Sequence, residues 1–84
     1  MNKRIEDLLK YAEQYNWNYF EARLRVYHPA SFVSRLNGEL IILFRFYDLR
    51  EGEQRFGIRY MDGEQYMVEY KDGRPEVSRI FSES

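Results

Sequence analysis

The run from Leu40 to Tyr47, Leu-Ile-Ile-Leu-Phe-Arg-Phe-Tyr, constrains the fold more than any other stretch of this sequence. It is the most apolar segment and is built from leucine, isoleucine and aromatic residues. A membrane-crossing helix takes about 20 apolar residues, so the run is too short to span a bilayer. A continuous apolar run of this length reads as a strand covered on both faces, which makes it the expected central strand of a sheet. The chain has 84 residues, and residues 1–84 are expected to form one domain. A domain of that size buries only roughly 60% of the surface its unfolded chain exposes, so each large side chain counts. Six Phe, eight Tyr and one Trp supply the apolar area, each ring burying about 150–250 Å².

Ahead of that run, Ile5, Leu8, Leu9, Ala12 and Tyr15 form an apolar stripe at helical spacing, which predicts a helix over Lys3 to Tyr15. Asn2 is the expected N-cap and Glu6 and Asp7 suit the first turn, while Asn16 is expected to end the helix in a left-handed conformation. The polar face carries Lys3, Glu6, Lys10, Glu13 and Gln14. A membrane-surface helix would be richer in Lys and Arg, so this mixed face predicts packing on the sheet. From Tyr19 to Tyr27 the sequence alternates, with Phe20, Ala22, Leu24 and Val26 on one side and Tyr19, Glu21, Arg23, Arg25 and Tyr27 on the other. Alternation predicts a strand closed by His28-Pro29, because proline cannot donate to a ladder.

Three turn signals organise the rest. Asn37-Gly38 separates Ser31–Leu36 from the apolar run, Asp62-Gly63 separates Arg55–Met61 from Glu64–Tyr70, and Asp72-Gly73 introduces Arg74–Phe81. Each pair suits a two-residue type I′ turn, which needs positive φ at both positions. Pro75 then falls opposite Tyr70 in a non-hydrogen-bonded pair, which is acceptable only if the last strand is an edge. Ser82 to Ser84 form a tail. The expected fold is α+β: one N-terminal amphipathic helix packed on a twisted five- or six-stranded antiparallel meander, with room to curl towards a small barrel. A helix followed by five strands resembles the layout of the Sm-like fold, a likeness of element order alone, since that family's paired motifs are absent.

Two-residue turns throughout would gather Arg55, Arg59, Met61, Tyr66, Val68, Tyr70, Val77, Arg79 and Phe81 on one face. Phe56, Ile58, Tyr60, Met67 and Ile80 would share the other with Gln65, Glu69, Glu76 and Ser78. Neither face is cleanly polar, and a helix of about 13 residues, roughly 20 Å long, cannot cover both. A curl of the sheet, a second copy or a partner must cover the remainder.

The chemistry available is narrow. Cysteine is absent and His28 is the only histidine, so no disulfide framework or zinc-ligand spacing exists and no metal or other cofactor is expected. Ser31, His28 and Asp48 lack the Gly-x-Ser-x-Gly context of a nucleophile elbow, and no catalytic residues are assigned. The glycines fall mainly in turns, so no phosphate-cradling loop is visible. The acidic N-terminal stretch leaves no room for the apolar core of a signal peptide, and a cysteine-free chain fits a reducing compartment; the expected location is cytoplasmic.

Arginine is the informative residue. Thirteen basic and 14 acidic residues leave a net charge of −1, but ten of the 13 are Arg. Arginine makes planar, stacked and bidentate contacts that lysine does not. With the registers above, Arg59 lies opposite Tyr66 and Arg55 opposite Tyr70, Arg23 and Arg25 accompany Tyr19 and Tyr27, and Arg45 stands beside Tyr47. These ten residues are the candidate binding set. One reading makes them cross-strand ladders that only hold the sheet together. A second makes them a protein-binding face, Arg and Tyr being enriched at interface hot spots. A third makes them a single-stranded nucleic-acid face, with bases stacked on the rings and phosphates held by Arg. Interspersed acids (Glu21, Asp48, Glu51, Glu53, Asp62, Glu64 and Glu69) weigh against the third, since phosphate neutralisation dominates such affinity. The expectation is therefore a small non-enzymatic inhibitor or adaptor that occludes or bridges a partner protein, in the style of a phage or mobile-element product. Nucleic-acid binding is the alternative, and self-association through the uncovered face, as a homodimer, is an expected complication.

Overall fold

The structure is a computed structural model that describes residues 2–26 and 31–81. It is an α+β fold: two helices, α1 (Lys3–Glu13) and α2 (Trp17–Val26), precede five strands, β1 (Ser31–Leu36), β2 (Glu39–Arg45), β3 (Arg55–Tyr60), β4 (Gln65–Lys71) and β5 (Arg74–Ile80). The strands form one antiparallel sheet in the order β1-β2-β3-β4-β5, and it does not close into a barrel. β3 is therefore the middle strand, and the apolar run forms its neighbour β2. The expected closure at His28-Pro29, Tyr27 and the tail Ser82–Ser84 lie outside the described residues.

α1 starts as its sequence requires. The Asn2 side chain accepts from the Arg4 N–H at 2.9 Å, capping one of the orphan donors of the first turn. The helix stops at Glu13, and Asn16 is not its left-handed terminator. Instead the Asn16 side chain accepts from the Tyr19 N–H at 3.0 Å, so it begins the next helix.

That next helix replaces the strand expected from Tyr19 to Tyr27. Phe20 and Leu24 fit either period, because their spacing of four is even and also close to one helical turn. Trp17 and Ala22 separate the two readings. Trp17, Phe20 and Leu24 are buried at i, i+3 and i+7, whereas Ala22 is exposed. The helix-favouring run Glu-Ala-Arg-Leu-Arg and an ion pair at i, i+4 between Glu21 and Arg25 (2.7 Å) support the turn-by-turn geometry.

The two helices cover the same face of the sheet, α1 over β4 and β5 and α2 over β1 and β2. Between them lies the core of Leu8, Ala12, Phe20, Leu24, Ile41, Leu43, Phe56, Ile58, Tyr60, Tyr66, Val68 and Tyr70, with Phe20 stacked on Phe56 at 4.4 Å. The buried Tyr70 hydroxyl donates to the Ala12 carbonyl at 2.7 Å and ties β4 to α1.

Two hairpins match the sequence reading. Asn37 (φ 49°) and Gly38 (φ 81°), and Asp72 (φ 53°) and Gly73 (φ 79°), take the left-handed conformations a type I′ turn demands. Pro75 faces Tyr70 on the edge strand β5, where its missing N–H leaves no ladder bond unmade. The middle hairpin differs. The Gly63 N–H donates to the Tyr60 carbonyl and the Tyr60 N–H to the Glu64 carbonyl, so Met61, Asp62 and Gly63 form a three-residue loop with only Gly63 at positive φ. One extra loop residue slips the register by one and exchanges the faces of β4 and β5 relative to β3. Arg59 pairs with Gln65 and Arg55 with Glu69, not with Tyr66 and Tyr70 as expected. Tyr66 lies opposite Ile58, in the core.

Candidate functional site

The register sorts the sheet into two unlike faces. The helix-covered face carries Phe32, Ile41, Leu43, Phe56, Ile58, Tyr60, Tyr66, Val68 and Tyr70, all buried. On the other face two rows run across all five strands, Val33–Ile42–Arg59–Gln65–Ile80 and Ser31–Phe44–Gly57–Met67–Ser78. A third row joins Arg55, Glu69 and Glu76. No described element lies over this open face. β2 is thus buried on one side only: Ile41 and Leu43 are fully covered while Leu40 remains 39% exposed.

Phe44 is the centre of the apolar half. Its ring lies flat against Gly57, so closely that a methyl built there would sit 2.7 Å from Phe44 Cε1. Phe46 meets Phe44 edge-on at 5.5 Å and carries the Arg55 guanidinium over its ring at 4.8 Å. Val33 (62% exposed), Leu40 and Met61 (58%) extend the apolar surface. A shallow cleft of about 310 Å³ opens beside Phe44, lined also by Ile42, Arg45, Tyr47, Arg59 and Gln65.

Charge is divided across the same face. At the β4–β5 side Lys71 reaches Glu76 (3.3 Å) and Glu69 (3.9 Å), and Arg55 reaches Glu53 (3.3 Å) and Asp48 (3.4 Å), so these groups are mutually neutralised. At the apolar side the charged groups are Arg35 and Arg59, whereas Arg45, opposite Phe56, belongs to the helix-covered side near Trp17, Glu21 and Leu24. Among the described residues neither Arg35 nor Arg59 has a carboxylate within ion-pair distance; Arg35 reaches only the Gly38 carbonyl, at 3.4 Å. Among the described residues this side of the surface is therefore apolar and aromatic, and its arginines have no carboxylate partner.

The ten candidate residues do not stay together. Tyr47 (85% exposed) and Arg59 line the Phe44 cleft, and Arg55 stands in the adjacent row, whereas Arg45 borders the cleft from β2 but lies opposite Phe56 on the helix-covered side. Tyr19 and Arg23 sit on α2: Tyr19 stacks on Tyr15 at 4.1 Å, and the Arg23 guanidinium lies over Phe32 at 4.6 Å and Tyr19 at 5.5 Å. Arg25 is an exposed partner of Glu21. Tyr66 and Tyr70 belong to the core, where burial pushes both hydroxyls above the usual tyrosine range. Tyr27 is outside the described residues. Sequence reading passed over Phe44, Ile42 and Gly57. A glycine inside a strand pattern signals close approach of another group, and Gly57 carried that signal.

The densest ionic cluster lies at the start of α1. Arg4 contacts Glu39 (2.6 Å), Glu64 (2.6 Å) and Asp62 (2.9 Å) and stacks on Tyr60 at 3.9 Å. Glu64 also accepts from Tyr66 (2.9 Å) and meets Arg79 (3.1 Å). The Arg4 hydrogen bond holds the Glu64 carboxyl below the usual range, and the Glu64 backbone N–H, followed by Arg4, does the same for Asp62. Burial pushes the Tyr60 hydroxyl up to about 12 although Arg4 pulls the other way. Every charge here already has a partner, so the cluster joins helix to sheet and offers nothing unmet to a ligand. Among the described residues no group of three or more His, Cys, Asp and Glu is placed to hold a metal ion, and no helix is long and apolar enough to cross a membrane.

Compared with protein-family models, with curated proteins and with solved structures, the chain matches none.

Proposed function

We propose that this protein is an interaction module whose open sheet face, centred on Phe44 and Arg59, binds an apolar, acid-rimmed surface of a partner protein. It acts as an inhibitor or adaptor in a reducing, cytoplasmic setting and carries out no chemistry of its own. The observation that supports this reading most is the coincidence of Val33, Leu40, Ile42 and Phe44, which no described element covers, with Arg35 and Arg59, which lack carboxylate partners among the described residues. Apolar patches rimmed by polar groups mark interaction sites, and potentials at interfaces are complementary, so the partner supplies the acids. Nucleic-acid binding has less support than the sequence lent it, because the stacking residues Tyr66 and Tyr70 are core side chains.

The test is capture from nuclease-treated native lysate by the tagged wild type and by Arg59→Glu, with the melting temperature of each recorded. The expected result is a stoichiometric protein retained by the wild type and lost by the variant at unchanged melting temperature. Capture that depends on nucleic acid, or capture that survives the charge reversal, contradicts the proposal.

A further inference from the structure

The two edges of this sheet are not equivalent. β5 is guarded: Pro75 removes a donor from its outer side, and Arg74, Glu76 and Arg79 surround it with charge. β1 has no proline and one charged residue, Arg35. Its pairing parity follows from the two-residue turn. Leu36 and Glu39 flank that turn as a hydrogen-bonded pair, so Ser34 and Phe32 also bond inward to β2. The N–H and C=O groups of Ser31, Val33 and Arg35 then point away from the sheet, and no backbone bond to them is present among the described residues.

Both flanks of this edge carry a cation. Arg35 stands on the open face, and Arg23 leans from α2 over Phe32 on the helix face. Among the described residues neither has a carboxylate partner, and the buried Nε of Arg23 has no hydrogen-bond acceptor. Resting on the protein-binding reading above, we infer that the outer edge of β1 takes an extended acidic segment of the partner as a sixth, antiparallel strand. Main-chain bonds to Ser31, Val33 and Arg35 hold it, which is the physics of strand addition. The register fixes where its acids belong. With an apolar residue opposite Val33, the residue two positions before it meets Arg35 on the open face. The residue one position after it lies beside Phe32 and Arg23 on the helix face. The recognised segment therefore has two acids three positions apart, on opposite faces. A second copy of β1 fits poorly, because pairing about Val33 would set Arg35 against Ser31 of its mate and bring no carboxylate to either arginine.

The experiment uses the intact protein, isotope-labelled, and a seven-residue probe peptide of threonine and valine with valine at its centre and glutamate at its second and fifth positions. A control peptide has lysine at those two positions. In the free protein the Val33 and Arg35 amides should exchange fast with solvent while Phe32 and Ser34 are protected. The glutamate peptide should slow Val33 and Arg35 exchange at least tenfold, and the lysine peptide should not. Val33→Pro should remove this binding and keep the fold, since Pro75 occupies the equivalent non-hydrogen-bonded position on β5. Slow Val33 and Arg35 exchange in the free protein overturns the inference: if dilution relieves it, a second copy holds the edge, and otherwise the chain covers its own edge. Binding of the glutamate peptide without protection of these amides overturns it too, as does no binding. Partner capture separates this failure from that of the wider proposal. Capture retained by Val33→Pro but lost by Arg59→Glu removes the added strand and leaves the open face as the binding surface, whereas retention by both removes both.

Discussion

Gly57→Ala is the sharpest test of how the open face is built. The position has no left-handed backbone requirement, so glycine is there for space. An added methyl would fall 2.7 Å from Phe44 Cε1, with Cζ and Cε2 nearer still. Ordinary carbon contacts are about 3.5–4.0 Å, so the ring must retreat by roughly 1 Å or more. Overpacking of this kind costs about 1–3 kcal/mol. The entropy gained by replacing a strand glycine returns about 0.5–1 kcal/mol. The net loss is about 0.5–2 kcal/mol, which for a domain this size lowers the melting temperature by about 2–15 °C. The sign change is more telling than the magnitude. In a Phe44→Ala background the obstruction is gone, and Gly57→Ala should become stabilising by about 0.5 kcal/mol or more. A double-mutant cycle in urea, followed by tryptophan fluorescence from Trp17, measures both values. A stabilising Gly57→Ala in the wild type, or an equal loss in both backgrounds, would show that Phe44 does not rest on Gly57.

Three further outcomes follow from particular contacts. Leu43→Ala truncates a fully buried side chain and should cost about 2–5 kcal/mol in denaturant unfolding. Asn16→Ala removes the cap of α2 and should cost about 0.5–2 kcal/mol, with helical circular dichroism falling before sheet signal; an unchanged stability would return this stretch to the strand reading. The acid limb of stability tests the Arg4 cluster. Glu64 and Asp62 have folded-state pKa values below their unfolded ones, so their contribution is complete above the ordinary carboxylate range and is lost as pH falls through the depressed values. Melting temperature should be flat from neutrality to about pH 5 and fall below it, and Arg4→Gln should make the fall shallower. An unaltered acid limb in Arg4→Gln would rule out Arg4 as the cause.

What the sequence made legible was local and short-ranged. Asn2 capping Arg4, the two left-handed turns at Asn37-Gly38 and Asp72-Gly73, and Pro75 on an edge each depend on a few adjacent residues. The errors came where two periods or two turn lengths shared the same residues. Phe20 and Leu24 satisfy both helix and strand, and only the combination of Trp17 with an Asn16 cap breaks the tie. Asp62-Gly63 serves a two-residue or a three-residue loop equally well, and its Gly63 bond to Tyr60 selects the longer. That single residue moved Tyr66 and Tyr70 from a presumed binding face into the core and left Phe44 and Arg59 on the surface. The candidate site was therefore partly legible: Tyr47 and Arg59 line one cleft, while Arg45 falls opposite Phe56 on the helix-covered side. The apolar centre of that cleft was hidden because the run around it read as buried on both sides.

The most direct test of the binding face is hydrogen exchange on the purified complex with the captured partner, compared with the free protein. The account predicts that protection gained on binding concentrates in β1, β2 and the loop from Met61 to Gly63 and leaves the exposed surface of α1 unchanged. Protection confined to α1 and α2, with β1 and β2 exchanging as in the free protein, would place the partner on the helices and contradict the account.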